Sequence, residues 1–245
     1  MIQLDHNERI DYLFDTDLKI IQSREVFSFS LDAVLLAKFV SVPIRSGNLI
    51  DLCTGNGAIP LLLSERTQAT MVGVDIQSRL CDMASRSIRL NDLQTRISIL
   101  CADIKALPAK FGNGVFDMVT CNPPYFTARQ AHVKNPNPHL AVARHELCMT
   151  LADAIEVSGK LVRQKGKVAF VHRPERLMEL FELMKRHRLA PKRLQFVHPR
   201  KGDAANMMLI EAIKDGNPGV KVLPSIHVYD DSGVYAKELL TFAHE

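Results

Sequence analysis

Nowhere in this sequence does an apolar run approach the roughly 18 residues of a membrane span. The opening stretch, "MIQLDHNERIDYLFDTDL", is acidic and lacks the basic start and long apolar core of a secretory leader, so export by that route is not expected. No C-x-x-C pair occurs. The five cysteines (Cys53, Cys81, Cys101, Cys121 and Cys148) are odd in number and widely spaced. That pattern argues against a disulfide framework and a zinc site, and for a reducing cytoplasmic location. Three of the cysteines fall in expected strands, where the residue serves as a small buried hydrophobe. Glycine and proline number only 12 each, which excludes collagen-like and low-complexity chains. Neither a repeat of fixed period nor a convincing linker is visible.

What is present is enough apolar material, 47% of 245 residues, to bury a sizeable core. From about residue 46 short apolar runs alternate with helical patterns: "NLIDLC", "AIPLLLSER", "TMVGVDI", "QSRLCDMASRSIRLND", "ISILCAD", "GVFDMVTCN". A helix near "RHELCMTLADAIEVSGKLVRQ", the strand "KVAFVH", the helix "PERLMELFELMKRH" and the strands "RLQFVH" and "NMMLIEAIK" continue the series. Leu80, Met83, Ala84 and Ile88 share one helical face. This order predicts an α/β fold of Rossmann-like type, a mostly parallel seven-stranded sheet with helices on both faces. Residues 1–45 read as an N-terminal extension of short strands and a helix, with Ser30 as the expected N-cap of "LDAVLLAKFV". Residues 46–214 form the core and 215–245 a C-terminal extension, together one structural domain.

The loop "DLCTGNGAIP" follows the first strand of the core. Gly55 and Gly57 let the backbone approach a ligand, with amides at the start of the next helix facing it. Pro60 stands where a dinucleotide fingerprint needs a third glycine or alanine, which argues against NAD, and no Gly-Lys-Ser/Thr follows for a phosphate loop. Asp51, Asp75 and Asp103 are expected at the carboxyl ends of three consecutive strands, where an acid can accept from ribose hydroxyls. Such a cleft is negative. It suits a ribose-bearing cofactor with positive charge, and S-adenosyl-L-methionine is the obvious one.

With the strands ordered 3-2-1-4, the turn "CNPPYF" after the fourth strand lies beside the glycine loop. Proline fixes its own φ and confines the residue before it to extended geometry, so Asn122-Pro123-Pro124 is rigid. The Asn122 side-chain oxygen and the Pro123 carbonyl are then two fixed acceptors for the hydrogens of an exocyclic amine such as that of adenine. Tyr125 or Phe126 offers a ring on which a flipped base could stack. Direct displacement at a sulfonium methyl needs neither a metal nor a covalent intermediate.

The series "DLCTGNG", "VGVDI", "CADI" and "CNPPYF" resembles the class I S-adenosylmethionine-dependent methyltransferases of the Asn-Pro-Pro-Tyr amino-methylating group. Within that group, "SFSLDAVLLAKF", "ARHE" and "HPRKGDAANMMLIEAIKDG" resemble the bacterial adenine-N6 methyltransferases that act on valine tRNA beside the anticodon. The resemblance implies a catalytic turn at Asn122, Pro123, Pro124 and Tyr125. It implies a cofactor site at Asp51, Thr54, Gly55, Asn56, Gly57, Asp75, Ile76, Asp103, Ile104 and Asn122, with no metal. Two other readings stay open, a protein glutamine N5-methyltransferase with the same turn and a non-catalytic cofactor- or RNA-binding factor.

On the substrate side, residues 185–201 hold seven of the 31 Lys and Arg and none of the 27 Asp and Glu, leaving 24 basic against 27 acidic residues elsewhere. Lys192, Arg193, Arg200 and Lys201 in this segment are the expected contacts to a tRNA backbone. Arg144 and His145 either contact phosphate or cap structure. The polar loop 126–143, with Phe126, His132 and His139, is expected to be mobile and to close over the base. No membrane or obligate protein partner is implied.

Overall fold

The computed structural model describes residues 2–26, 29–126, 146 and 148–236. Among these, β3 (Asn48–Leu52), β4 (Thr70–Asp75), β5 (Ile97–Cys101) and β6 (Phe116–Cys121) are the short apolar runs of the alternating pattern. With β7 (Val162–His172), β8 (Leu189–His198) and β9 (Met207–Lys214) they lie in the order β8-β9-β7-β6-β3-β4-β5. β9 is antiparallel to both its neighbours and the other pairs are parallel. The expected 3-2-1-4 order is thus β5-β4-β3-β6, and the reversal point falls between β3 and β6.

Among the described residues the sheet has nine strands rather than the expected seven. The extra two, β10 (Lys221–Val222) and β11 (Ile226–His227), both run parallel along β8. Without them β8 would present an open row of N–H and C=O groups at the sheet edge. Leu223 N donates to Leu194 O and Val228 N to His198 O along that edge. Strands of two residues carry no alternation, so this covering has no signature in the sequence.

Successive side chains of a strand point to opposite faces, and in β7 Ala169 and Val171 join one core while Val168 and Phe170 join the other. α1 (Leu31–Phe39) and α2 (Ala58–Ser64) pack on the first, α5 (Leu151–Leu161) and α6 (Leu177–Arg186) on the second. The other α-helices among the described residues are α3 (Ser78–Leu90) and the short α4 (Leu107–Phe111). α5 starts later than expected because Thr150 and Asp153 form a reciprocal capping box, and it ends before Val162. Val162 to Gln164, expected in the helix, belong to β7, which bulges against β6 between Phe116 and Met118. Lys165 there has φ 62. A Cβ on Gly166 would lie 2.7 Å from Val162 Cγ2, so only glycine fits the bulge.

The N-terminal hairpin of β1 (Glu8–Tyr12) and β2 (Lys19–Ser23) is stitched to α3. Arg86 donates to both Glu8 oxygens at 2.6 and 2.8 Å, and Ile21 N donates to Ser87 Oγ at 2.9 Å. At the other end of the extension, buried Glu211 of β9 accepts from Ser41 N at 2.8 Å and Ser41 Oγ at 3.1 Å. Arg193 donates to Ser41 Oγ at 2.8 Å and Phe39 O at 3.0 Å, and its guanidinium stands 4.5 Å from the Phe39 ring centre. Arg193 therefore clamps the end of α1 to the sheet and is not a residue of an open basic surface. Arg193→Ala is expected to lower unfolding stability in urea by about 1–3 kcal/mol, because it strips the buried Glu211 of a charged partner. An unchanged midpoint would mean the clamp contributes nothing.

Candidate active site

A cleft opens at the carboxyl ends of β3, β4, β5 and β6. The chain leaves β3 through Cys53 (φ 58), Gly55 (φ 58) and Gly57 (φ 87). The left-handed conformation is costly for Cys53 and free for the glycines, so the turn is held by its surroundings. Thr54 N donates to Val74 O at 2.9 Å, and Gly57 becomes the N-cap of α2. A Cβ on Gly57 would sit 3.2 Å from Ala84 Cβ, which lets α3 approach, whereas one on Gly55 would meet nothing within 4 Å. Gly55 thus keeps the cleft open where its φ already excludes most side chains.

Asp75 closes β4 and organises the loop. Its carboxylate accepts from Gly55 N and Gln77 N, both at 2.9 Å. Thr54, Gly55, Asn56, Asp75, Ile76, Asp103, Ile104, Asn122 and Pro124 all line the cleft. Asn56 has its own amide turned back, donating to Ile21 O at 3.1 Å. Asp103 accepts from Lys105 N at 2.9 Å and is half-exposed.

Asp51 is a correction. It lies within β3 rather than at its end, is buried, and does not line the cleft; Thr120 Oγ1 donates to its Oδ1 at 2.6 Å across to β6. Burial pushes its carboxyl up to about 7 against the pull of the Thr120 hydroxyl, and burial also raises Asp75.

Several lining residues carry no motif of their own: Phe29, Ser30, Ala33, Gln77, Leu80 and Met149. The first three come from the segment "SFSLDAVLLAKF", whose family resemblance signals importance without a role. Ser30 stands at the N-cap position of α1 with extended backbone, but its hydroxyl does not cap the helix. Ser30 Oγ is buried and unpartnered in the cleft wall, whereas the buried Thr54 hydroxyl is turned toward Asp51. The expected burial of strand cysteines holds for Cys121; Cys101 is exposed and Cys53 intermediate.

The turn after β6 brings Asn122 and Pro124 to the cleft. Tyr125 Oη is 2.6 Å from Asp32 Oδ2 and 2.7 Å from Asn122 Oδ1. Its ring meets His172 edge-on at 5.3 Å, and the Arg173 guanidinium stands 5.4 Å from its centre. Burial first, then the Asp32 carboxylate, raises the Tyr125 phenol well above its usual range. Burial lowers His172 to about 4, so its ring is neutral. With Tyr125 enclosed by partners, Phe126, 38% exposed, is the more accessible ring of the two.

The basic segment divides. β8 runs parallel to β6, so Arg200 and Lys201, just past its end, share the edge of the sheet that carries Asn122. Both are exposed, and Arg200 stands 5.8 Å from the Tyr229 ring centre. Lys192 and Arg193 lie within β8, Lys192 donating to Asn217 O at 2.5 Å and Arg193 clamping α1. Arg144, His145, His132, His139 and the loop beyond Phe126 lie outside the described residues.

The two raised carboxyls set a pH dependence. Between the ordinary 3.8 and about 7, folded Asp51 keeps a proton that the unfolded chain has lost, so stability falls as pH rises through that window. Asp51→Asn is expected to flatten this decline and raise the thermal midpoint at pH 8, a gain on the order of a few kcal/mol. An equally steep decline in the variant would place the titrating group elsewhere.

Residues 49–144 match the family described as a methyltransferase domain. A tRNA1(Val) (adenine(37)-N6)-methyltransferase of Parabacteroides distasonis is 30% identical over 181 residues, 74% of either chain. A Bacteroides fragilis protein of the same name is 25% identical over 204 residues, 82% of this chain and 84% of its own. In fold, a predicted O-methyltransferase from Agrobacterium tumefaciens superposes with TM-score 0.68 at 22% identity, covering 85% of this chain and 95% of that one. The geranyl diphosphate C-methyltransferase of Streptomyces coelicolor A3(2), with S-adenosyl-L-homocysteine bound, gives 0.58 at 13% identity, covering 74% and 79%. The order of the strands, the glycine loop and the length of the similarity agree: this chain belongs to the family of tRNA1(Val) (adenine(37)-N6)-methyltransferases.

Proposed function

We infer that this enzyme transfers a methyl group from S-adenosylmethionine to the N6 amine of an adenine in tRNA, adenine 37 of tRNA1(Val) as in its named relatives. One observation carries the reading: the Asn122 carboxamide lines the same cleft as Gly55, Asp75 and Asp103. The cofactor supplies an electrophilic methyl group on a sulfonium.

The residues present fit that cofactor. Ser30 Oγ, a buried hydroxyl without a partner in the cleft wall, is a group that a polar ligand completes. Asp75 keeps lone pairs beyond the two amides it accepts and is suited to ribose hydroxyls. Ile76, Leu80 and Ile104 give apolar walls for a flat ring, and Asp103 adds negative charge at the mouth.

For the acceptor, an exocyclic amine is a weak nucleophile because its lone pair is delocalised into the base. The Asn122 amide oxygen and the Pro123 carbonyl accept its two hydrogens, which localises the lone pair and stabilises positive charge as the new bond forms. Pro123 and Pro124 fix the backbone that carries both acceptors. One amine proton then leaves to water. Phe126 is the ring for the base, and Arg200 with Lys201 meets the RNA backbone. A tRNA substrate supports a cytoplasmic location, as do five free cysteines. No helix among the described residues is long and apolar enough to cross a membrane.

S-adenosylmethionine is expected to raise the thermal midpoint, and incubation with tRNA to yield N6-methyladenosine on nucleoside mass spectrometry. Asn122→Ala should keep cofactor affinity within a few-fold and cut transfer by about 10²-fold or more. Methylated glutamine in protein, or undiminished turnover in Asn122→Ala, would overturn the reading. Reversing charge at Arg200 and Lys201 together should reduce the slope of log K against log salt for tRNA binding by about 1–2. An unchanged slope would put the backbone contact elsewhere.

A further inference from the structure

Three oxygens meet around Tyr125 with a single proton to share. The hydroxyl lies 2.6 Å from Asp32 Oδ2 and 2.7 Å from the end of the Asn122 carboxamide. A neutral phenol donates once. If it donates to the carboxylate, it can still accept, but an amide oxygen has nothing to give. The contact at 2.7 Å would then set two acceptors against each other in a half-buried site. Oxygen and nitrogen of a carboxamide are close in size, and the surrounding bonds decide which stands where. Only one arrangement satisfies every group with Asp32 ionised: Asn122 Nδ2–H donates to Tyr125 Oη, and Tyr125 Oη–H donates to Asp32. That arrangement frees Asn122 Oδ1.

We propose that Asp32, acting through the Tyr125 hydroxyl, is a positioning residue that turns the Asn122 carboxamide so that its oxygen presents to the substrate amine. This rests on the reading of Asn122 as an amine acceptor. Geometry on both sides supports the chain of bonds. Asp32 sits in the first turn of α1, where the helix dipole favours a negative charge. The Tyr125 ring is held by His172 and Arg173, so its hydroxyl has little freedom. Burial and the Asp32 charge keep the phenol protonated. Without the chain, the amide could rotate its NH2 toward the amine, setting donor against donor at the reacting atom. Asp32 belongs to the N-terminal extension, outside the strands that carry the rest of the site. The proposal therefore gives that extension a part in catalysis beyond walling the cleft.

The experiment compares single-turnover methyl transfer and cofactor dissociation constants for Tyr125→Phe, Asp32→Ala, their double variant and Asn122→Ala. Tyr125→Phe keeps the ring contacts and removes one oxygen, so folding is expected to be preserved. Each single variant should slow transfer by about 10–100-fold with the S-adenosylmethionine dissociation constant within twofold, and the double should be no slower than the worse single. Multiplying losses, or full-rate transfer in Tyr125→Phe, would overturn the relay. So would a loss seen only as weakened cofactor binding. The two failures separate cleanly. Full activity in Asn122→Ala sinks the acceptor reading itself, whereas an inactive Asn122→Ala beside an active Tyr125→Phe sinks the relay alone.

Discussion

Parallel strands cannot be joined by a tight turn, and this one constraint arranges the molecule. Each connection must cross back over a face of the sheet, so every strand-to-helix loop emerges at the same edge. β3 and β6 are neighbours there, yet the chain leaves them in opposite directions, one toward β4 and the other toward β7. The gap between the departing loops is the cleft. The glycine turn, the acid ending β4 and the proline turn after β6 come together although they are spread over residues 53 to 124. Had β9 not turned antiparallel, the loop carrying Arg200 and Lys201 would still start on this edge, but the chain would need a crossover between β8 and β9.

Proximity alone does not make a site; the groups must also be fixed before a substrate arrives. Two kinds of restraint act here. Covalent stiffness sets the backbone at Asn122-Pro123-Pro124, where φ of both prolines is locked. Hydrogen bonding sets the loop after β3, where Asp75 takes the Gly55 and Gln77 amides and so spends part of its charge on its own protein. The first restraint costs nothing on folding, since the unfolded chain is equally stiff there. The second is offset by burial of the acid, which is why Asp75, like Asp51 behind it, resists ionisation. A cation in the cleft would favour the ionised form of Asp75.

How far the residues alone disclosed this can be judged at particular positions. The alternating order and the four strand ends were legible because apolar runs bounded by Gly, Asp and Pro are local signals. The same local reading put Asp51 in the cleft. A residue near a strand end and one inside the strand differ by a single step of the pleat, which sequence does not resolve. Arg193 was grouped with an open basic patch because charge density along a chain ignores which face of a strand each residue takes. The Tyr125–Asp32 contact joins positions 93 apart, and no periodicity connects them. Family resemblance marked the Asp32 segment as meaningful, but only the packing of α1 against the turn gives it a function.

The basic residues divide by the same logic. Within β8 a cation is either sandwiched or bonded to a neighbour: Arg193 lies against Phe39 with Glu211 beneath, and Lys192 donates to Asn217 O. Past the end of β8 the chain is no longer paired to the sheet, and Arg200 and Lys201 project from a short turn closed by the bond from Asp203 N to Arg200 O. Charge on a strand serves the fold, whereas charge on the loop after it is available to a partner. Since that loop shares an edge with Asn122, an RNA lying across it would run past the amide, and the extension that covers β8 would border its path.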